Sequence, residues 1–224
     1  MAENELTREQ YDRRYGGESF YWTTRPSSTC FEVLRRMPPE RRLRLLDIGC
    51  GEGRNAVFFA RNGYDVHALD ISGKGIEKTQ QLARQAGVSI RTIQADLNEF
   101  RLAEPFDILF STGTLHCCQP SVCTELFDNM KTFTVEGGLN VLSVFVRKPF
   151  IPRAPDGDAN AHPWRSGELF AFYHDWTIEW CTEEIFDCMS SGVPHQHAVN
   201  RMVARKETGQ RRAGDDGEDA AAQP

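Results

Sequence analysis

The run Leu45-Leu46-Asp47-Ile48-Gly49-Cys50-Gly51-Glu52-Gly53-Arg54-Asn55 carries an apolar segment into a glycine-rich turn. Residues Leu43 to Ile48 alternate little and are largely apolar, as expected of a strand buried on both faces in the middle of a parallel sheet. Gly49, Gly51 and Gly53 then fall at every second position, where a backbone free to take positive φ can approach a ligand that any Cβ would strike. The helix predicted next, Ala56 to Ala60 with Asn62-Gly63 as its stop, points its free N–H groups back at the turn. Together these features predict a loop for a nucleotide-like ligand.

Two ligands compete for such a loop. The dinucleotide fingerprint is Gly-x-Gly-x-x-Gly, with its last glycine packing helix against strand. Here the spacing is Gly-x-Gly-x-Gly, and Arg54 stands where that last glycine should fall. Asp47 precedes the glycines, and the run from Asn62 to Asp70 ends a second predicted strand in an acid well placed for a ribose diol. On these residues the chain resembles the class I S-adenosylmethionine (SAM) methyltransferases, whose motif reads Asp/Glu-x-Gly-x-Gly-x-Gly. The resemblance implies an α/β fold with a Rossmann-like, doubly wound, mostly parallel seven-stranded sheet and a C-terminal antiparallel hairpin. It also implies SAM as cofactor, S-adenosylhomocysteine as product, and cofactor contacts from Asp47, Gly49, Gly51, Gly53, Arg54, Asn55, Asp70 and Ile71.

Strand and helix continue to alternate after Asp70. Gly75 to Ala86 places Ile76, Thr79, Leu82 and Ala83 at helical spacing, and Gly87 closes that helix. Val88 to Ala95 reads as a third strand ending in Asp96-Leu97, and Phe106 to Gly113 as a fourth ending near Ser111 and Thr112. In the methyltransferase pattern these ends also touch the cofactor, with Asp96 on the adenine side. Pro120 to Phe133 is predicted helical, Gly137-Gly138 is expected to stop it, and Leu139 to Val146 is predicted as a fifth strand. Such alternation predicts a doubly wound sheet with ligands outside the carboxyl ends of its strands.

Three segments stand apart from that rhythm. Residues 1–16 are polar, with a short or fraying helix expected from Glu9 to Tyr15. Tyr21 to Ser28 sets two aromatics and Arg25 before Pro26, and Ser28 or Thr29 is a candidate cap for a helix bearing Phe31, Val33, Leu34 and Met37. Residues 1–40 are thus read as an N-terminal lid, and the resemblance places Trp22 and Arg25 at the methionine end of SAM. Residues 147–168, rich in proline, are read as a partial lid on the substrate side around Lys148, Phe150 and Trp164. A short helix at 167–173, a strand near Trp176 to Trp180 and a last strand from Ala198 to Arg205 complete the prediction.

Composition limits the remaining possibilities. The 224 residues suit one domain, expected over 1–206, with 207–224 too poor in apolar groups to dock and expected to be disordered. A net charge of −6 and a pI near 5.6, with scattered Lys and Arg, argue against nucleic acid as a partner. No apolar run reaches the roughly 20 residues that span a bilayer, and the first residues lack a signal-peptide core, so no membrane partner and a cytoplasmic location are expected. Seven cysteines without disulfide-like or recognisable zinc spacing fit reduced thiols, and no metal site is expected. A monomer or homodimer with a small-molecule substrate is the expected form.

Further residues narrow the resemblance. Leu46 to Asn55, Gly63-Tyr64-Asp65-Val66, Asn129-Met130-Lys131 with Gly137-Gly138-Leu139-Asn140, Tyr173-His174-Asp175-Trp176 and Ala204-Arg205-Lys206 look like the tellurite-resistance methyltransferase family over roughly residues 20 to 206. That family implies methyl transfer from SAM to a small soft nucleophile, an oxyanion of tellurium or selenium. A thiol or other small metabolite as acceptor, and a catalytically silent SAM-binding regulator, are the alternatives. Displacement at a sulfonium methyl by a soft nucleophile needs positioning and charge complementarity more than a base. His197, Asn200 and Arg201 are the candidate catalytic residues, since an Arg with a His orients a small oxyanion. His116, Cys117 and Cys118 follow the fourth strand and stand as further candidates, the thiols as soft ligands or as ordinary buried side chains.

Overall fold

The computed structural model describes residues 3–155 and 162–209. Its elements follow one another as α1 (Glu3–Tyr15), α2 (Thr29–Arg36), β1 (Arg44–Ile48), α3 (Arg54–Arg61), β2 (Asp65–Asp70), α4 (Gly73–Gln85), β3 (Arg91–Gln94) and β4 (Phe106–Thr112). Then come α5 (Pro120–Thr132), β5 (Thr134–Val146), α6 (Glu168–Ala171), β6 (Thr177–Cys188) and β7 (His195–Arg205). The strands form one seven-stranded sheet in the order β3-β2-β1-β4-β5-β7-β6. Strands β1 to β5 pair in parallel, whereas β7 runs antiparallel to both β5 and β6. The expected doubly wound sheet with an antiparallel C-terminal hairpin is therefore present.

Each central strand feeds two cores, which is why its sequence does not alternate. Leu46, Leu109, Leu142 and Met202 face Phe127, Met130, Trp164 and Tyr173, whereas Leu45, Ile108, Val141 and Val203 face Val33, Phe59 and Tyr64. The chain reverses its winding between β1 and β4, so a crevice opens at their carboxyl ends. Strand β6 runs in the same direction as β5, because both are antiparallel to β7. The turn that joins β6 to β7 consequently stands at that same rim.

Several boundaries differ from the expectation. The N-terminal helix is a full 13 residues, anchored where Asp12 Oδ1 accepts the Ser72 hydroxyl at 2.6 Å and the Lys74 N–H at 3.1 Å. A tertiary anchor explains what local polarity did not. Strand β5 begins at Thr134, so Gly137 and Gly138 lie inside it, at an irregularity where pairing with β4 shifts between Phe106 and Ile108. A Cβ on Gly138 would lie 2.7 Å from Thr134 Cγ2 and 2.8 Å from the Asp107 carbonyl oxygen, so the glycine serves a close backbone approach rather than a helix stop. Strand β6 extends to Cys188 and β7 starts at His195, because pairing between them lengthens both beyond what their own patterns indicate.

Of the three residues named for the proline-rich partial lid, Lys148 lines the cavity at the strand ends together with Pro149, Ile151 and Pro152, whereas Trp164 does not. Trp164 is fully buried beside Phe127, and its indole N–H donates to the Leu115 carbonyl at 3.3 Å, so it belongs to the core. Phe150 is 71% exposed. Residues 156–161 of this segment, and the expected tail from residue 210 onward, lie outside the described residues.

Candidate active site

The turn after β1 is held by the end of β2. Gly49 N–H and Cys50 N–H donate to the Leu69 carbonyl at 2.7 and 2.9 Å, and Gly51 N–H donates to Asp70 Oδ2 at 2.8 Å. Asp70 Oδ1 accepts the Ser72 N–H at 2.9 Å, so one carboxylate sets both the glycine turn and the entry to α4. Burial pushes the Asp70 carboxyl up to about 6, against the pull of those backbone donors. Gly51 adopts φ +56°, and a Cβ there would stand 3.2 Å from the Tyr15 hydroxyl. Gly53 matters for packing instead, since a Cβ there would lie 2.8 Å from Thr79 Cα, and its absence lets α3 start against α4.

Three side chains of the turn and the start of α3 clamp the N-terminal segment over it. Glu52 Oε2 accepts the Trp22 N–H at 3.1 Å, Arg54 donates to the Trp22 carbonyl at 3.1 Å, and Asn55 Oδ1 accepts the Ser27 N–H at 2.9 Å. Glu52 is itself buried and ion-paired with Lys78 at 2.8 Å. Trp22 donates its indole N–H to the Tyr15 hydroxyl at 3.1 Å and packs edge-on against Tyr21. The glycine turn is thereby roofed by α1 and by the residues around Trp22.

Beneath this roof a cavity of about 1330 Å³ runs along the strand ends. Among the expected cofactor residues, Trp22, Gly49, Gly51, Arg54, Asn55, Asp70, Ile71, Asp96, Leu97 and Thr112 line it. Asp96 Oδ1 accepts the Asn98 N–H at 2.8 Å, while its Oδ2 is buried with no hydrogen-bond partner among the described residues. A buried carboxylate oxygen in a cavity wall calls for a donor from a ligand.

Other expected residues sit elsewhere. Asp47 lies beneath the turn rather than in the wall, where burial and the nearby Asp70 charge push its carboxyl up to about 7. Ser111 is buried and donates to the Ile48 carbonyl at 2.9 Å, tying β4 to β1. Gly53 is a packing residue, and Arg25 is exposed outside the cavity lining.

At the far end of the cavity the pleat of β7 divides the three expected catalytic residues. His197 and Arg201 share one face and line the cavity, whereas Asn200 is turned to the opposite face and fully buried. There Asn200 accepts the Gly167 N–H at 2.8 Å and donates to Glu183 at 2.9 Å, which makes it a brace for the start of α6. His197 stacks on Phe145 at 4.6 Å between ring centroids, and Arg201 is ion-paired with Glu184.

The candidates after β4 divide in the same way. His116 and Cys117 line the cavity. Cys118 is buried with its sulfur 2.9 Å from that of Cys123, and that hydrogen bond together with burial pushes the Cys118 thiol up. Sequence reasoning missed Tyr11, Arg14 and Tyr15 of α1 and Phe145 of β5, all of which line the cavity. The four-residue spacing of Tyr11 and Tyr15, whose rings lie 5.8 Å apart, is the signal that marks one face of α1.

A glycine turn after β1, acids closing the second and third strand regions and an antiparallel seventh strand define the class I methyltransferase fold. Within it, the chain belongs to the tellurite resistance protein TehB family, whose family model matches residues 14–192. It is similar to hemagglutinin 1 of Eikenella corrodens, 28% identical over 160 residues that make up 69% of this chain and 50% of that one. It is likewise similar to a probable S-adenosyl-L-methionine-dependent methyltransferase TehB of Haemophilus influenzae, 26% identical over 133 residues, 59% of this chain and 46% of the relative. The chain thus spans about half the length of these curated relatives. The crystal structure of TehB from Haemophilus influenzae superposes with a TM-score of 0.71 at 21% identity, covering 89% of this chain and 67% of that one. No helix among the described residues is long and apolar enough to cross a membrane.

Proposed function

We propose that this chain transfers the methyl group of SAM to a small, soft nucleophile, an oxyanion of the tellurium or selenium class. The observation that carries the reading is one continuous cavity with different chemistry at its two ends. Near the glycine turn stand the Asp70 carboxylate and Asp96 Oδ2, which is buried with no partner among the described residues; toward the hairpin stand His197 and Arg201. Single-ligand pockets typically measure about 300–1000 Å³. The cavity of about 1330 Å³ accommodates a cofactor and a small acceptor together.

The residues fit SAM. Asp70 would hold the ribose hydroxyls, Asp96 Oδ2 would accept from the adenine amino group, and Ile71 and Leu97 would cover the apolar faces of the ring; all four line the cavity. Gly49 and Gly51 leave room for the methionine portion, with Trp22 and Tyr15 closing over it. When bound, the cofactor would supply a sulfonium methyl open to in-line displacement by the lone pair of the acceptor. The chain's own work is to orient and to exclude water. Arg201 and His197 hold an anionic acceptor by charge-assisted hydrogen bonds, and no residue needs to remove a proton.

The net charge of −6 supports a small acceptor over a nucleic acid. The deciding experiment is methyl transfer from labelled SAM to a panel of chalcogen oxyanions, thiols and macromolecules. Methylation of the chalcogen or metalloid compounds supports the reading. Transfer only to thiols moves the acceptor class, and SAM binding without transfer to anything makes the chain a silent binder.

A further inference from the structure

The turn end of the β6–β7 hairpin sets two residues that the methyl-transfer reading does not use, Cys188 and His195, beside His197 of the proposed acceptor end. Cys188 and His195 are the last paired residues of that ladder. Directly opposed residues on one face of an antiparallel pair hold their Cβ atoms about 4.5–5.5 Å apart. His197 lies two residues further along β7, so the pleat returns it to the same face. The result is one thiol and two imidazoles whose ligand atoms all lie within 4.8 Å of one another.

The geometry around the two rings prepares them for ligation. His195 Nε2 and His197 Nε2 are 3.0 Å apart. His195 Nδ1 lies 2.8 Å from the Val193 carbonyl oxygen, which fixes the proton on Nδ1 and leaves the Nε2 lone pair directed into the group. A carbonyl behind the non-ligating nitrogen is the usual support of a metal-bound histidine. The His197 ring plane is held by stacking on Phe145. Cys188 and His197 both line the cavity, so the group opens toward it.

We propose that Cys188, His195 and His197 bind one borderline-soft divalent cation of the zinc class per chain. One sulfur and two nitrogens suit zinc or cobalt, and three protein ligands leave a tetrahedral position for water or a small molecule. On binding, the Cys188 thiol proton leaves to solvent and the His197 proton moves from Nε2 to Nδ1, so the cation meets one thiolate and two neutral imidazoles. This site goes beyond the methyl-transfer reading and does not depend on it, since a chain that turns over no acceptor can still bind the cation.

The test uses the purified full chain, reduced and freed of metal by a chelator, titrated with cobalt(II). The expected result is a near-ultraviolet thiolate-to-cobalt charge-transfer band that saturates at one equivalent and is bleached by one equivalent of zinc. Cys188→Ser should abolish the band and weaken zinc binding on the order of 100-fold, and His195→Gln should weaken it at least about 10-fold. Cys181→Ser, whose thiol is exposed farther along β6, should leave both readouts unchanged. Circular dichroism and SAM affinity of each variant report separately whether the fold survives. A band that persists in Cys188→Ser overturns the proposal, as does a wild-type chain with no saturable cobalt or zinc binding.

Discussion

Gly51 N–H donates to Asp70 Oδ2 at 2.8 Å, so the strand-end acid and the glycine turn are parts of one clasp. The carboxylate proposed for the ribose also sets the shape of the turn that the methionine portion lies against. Asp70→Ala should therefore weaken SAM binding by about 1.5–3 kcal/mol, the loss of charged hydrogen bonds, with a further fall in stability from the freed turn. Calorimetry showing undiminished SAM affinity would remove Asp70 from the site.

Gly51→Val should abolish SAM binding, because the new side chain must project at φ +56° beside the Tyr15 hydroxyl. Gly53→Ala should act on the fold instead, lowering stability by about 1–3 kcal/mol through the collision with Thr79. Thermal melts and SAM titrations on both variants separate the two effects; equal behaviour would refute the division of labour.

Asp47 and Asp70 have folded-state pKa values raised to about 7 and about 6 from an ordinary 3.8. The folded chain thus binds protons that the unfolded chain has already released. Their stabilising contribution is fully present below about pH 3.8 and is lost as pH rises through about 7. Ligand-free protein should lose stability across that window, on the order of a few kcal/mol, and Asp47→Asn should flatten the slope. Urea midpoints for both proteins at several pH values check this, and an equal slope in the variant would count against it.

Arg201→Ala should reduce turnover of an anionic acceptor far more than SAM affinity, on the order of 100-fold, because Arg201 stands at the hairpin end of the cavity. Asn200→Ala should show the opposite profile: a melting point lowered by the loss of its bonds to Gly167 and Glu183, and SAM affinity unchanged. Initial rates and melting curves distinguish the two. A turnover loss in Asn200→Ala with no change in melting would return it to the catalytic set.

Cys118→Ser should cost about 1–2 kcal/mol of stability, since a hydroxyl replaces a buried sulfur packed against Cys123. Cys117→Ser should leave the melting point nearly unchanged, because that side chain is only partly buried at the cavity wall. Melting curves of the two variants give the comparison directly, and equal stability losses would contradict it.

Local pattern alone determined the turn from Gly49 to Gly53, the acid that ends β2 and the alternation of strand and helix, because each depends on the residue's own backbone preference or on neighbours a few positions away. It also placed Asp96 and Leu97 correctly at the carboxyl edge of the sheet. Tertiary structure decided which of those residues face the cavity. Asp47 and Ser111 sit as near the turn as Asp70 and Thr112 do in their strands, yet packing directs the former into the sheet and the latter toward the opening. The α1 roof, the division of His197 and Arg201 from Asn200, and the gathering of Cys188 with His195 all follow from long-range pairing. A side chain's face and neighbours there are set by cross-strand register and by burial against distant elements, and neither is encoded in the spacing along a single segment.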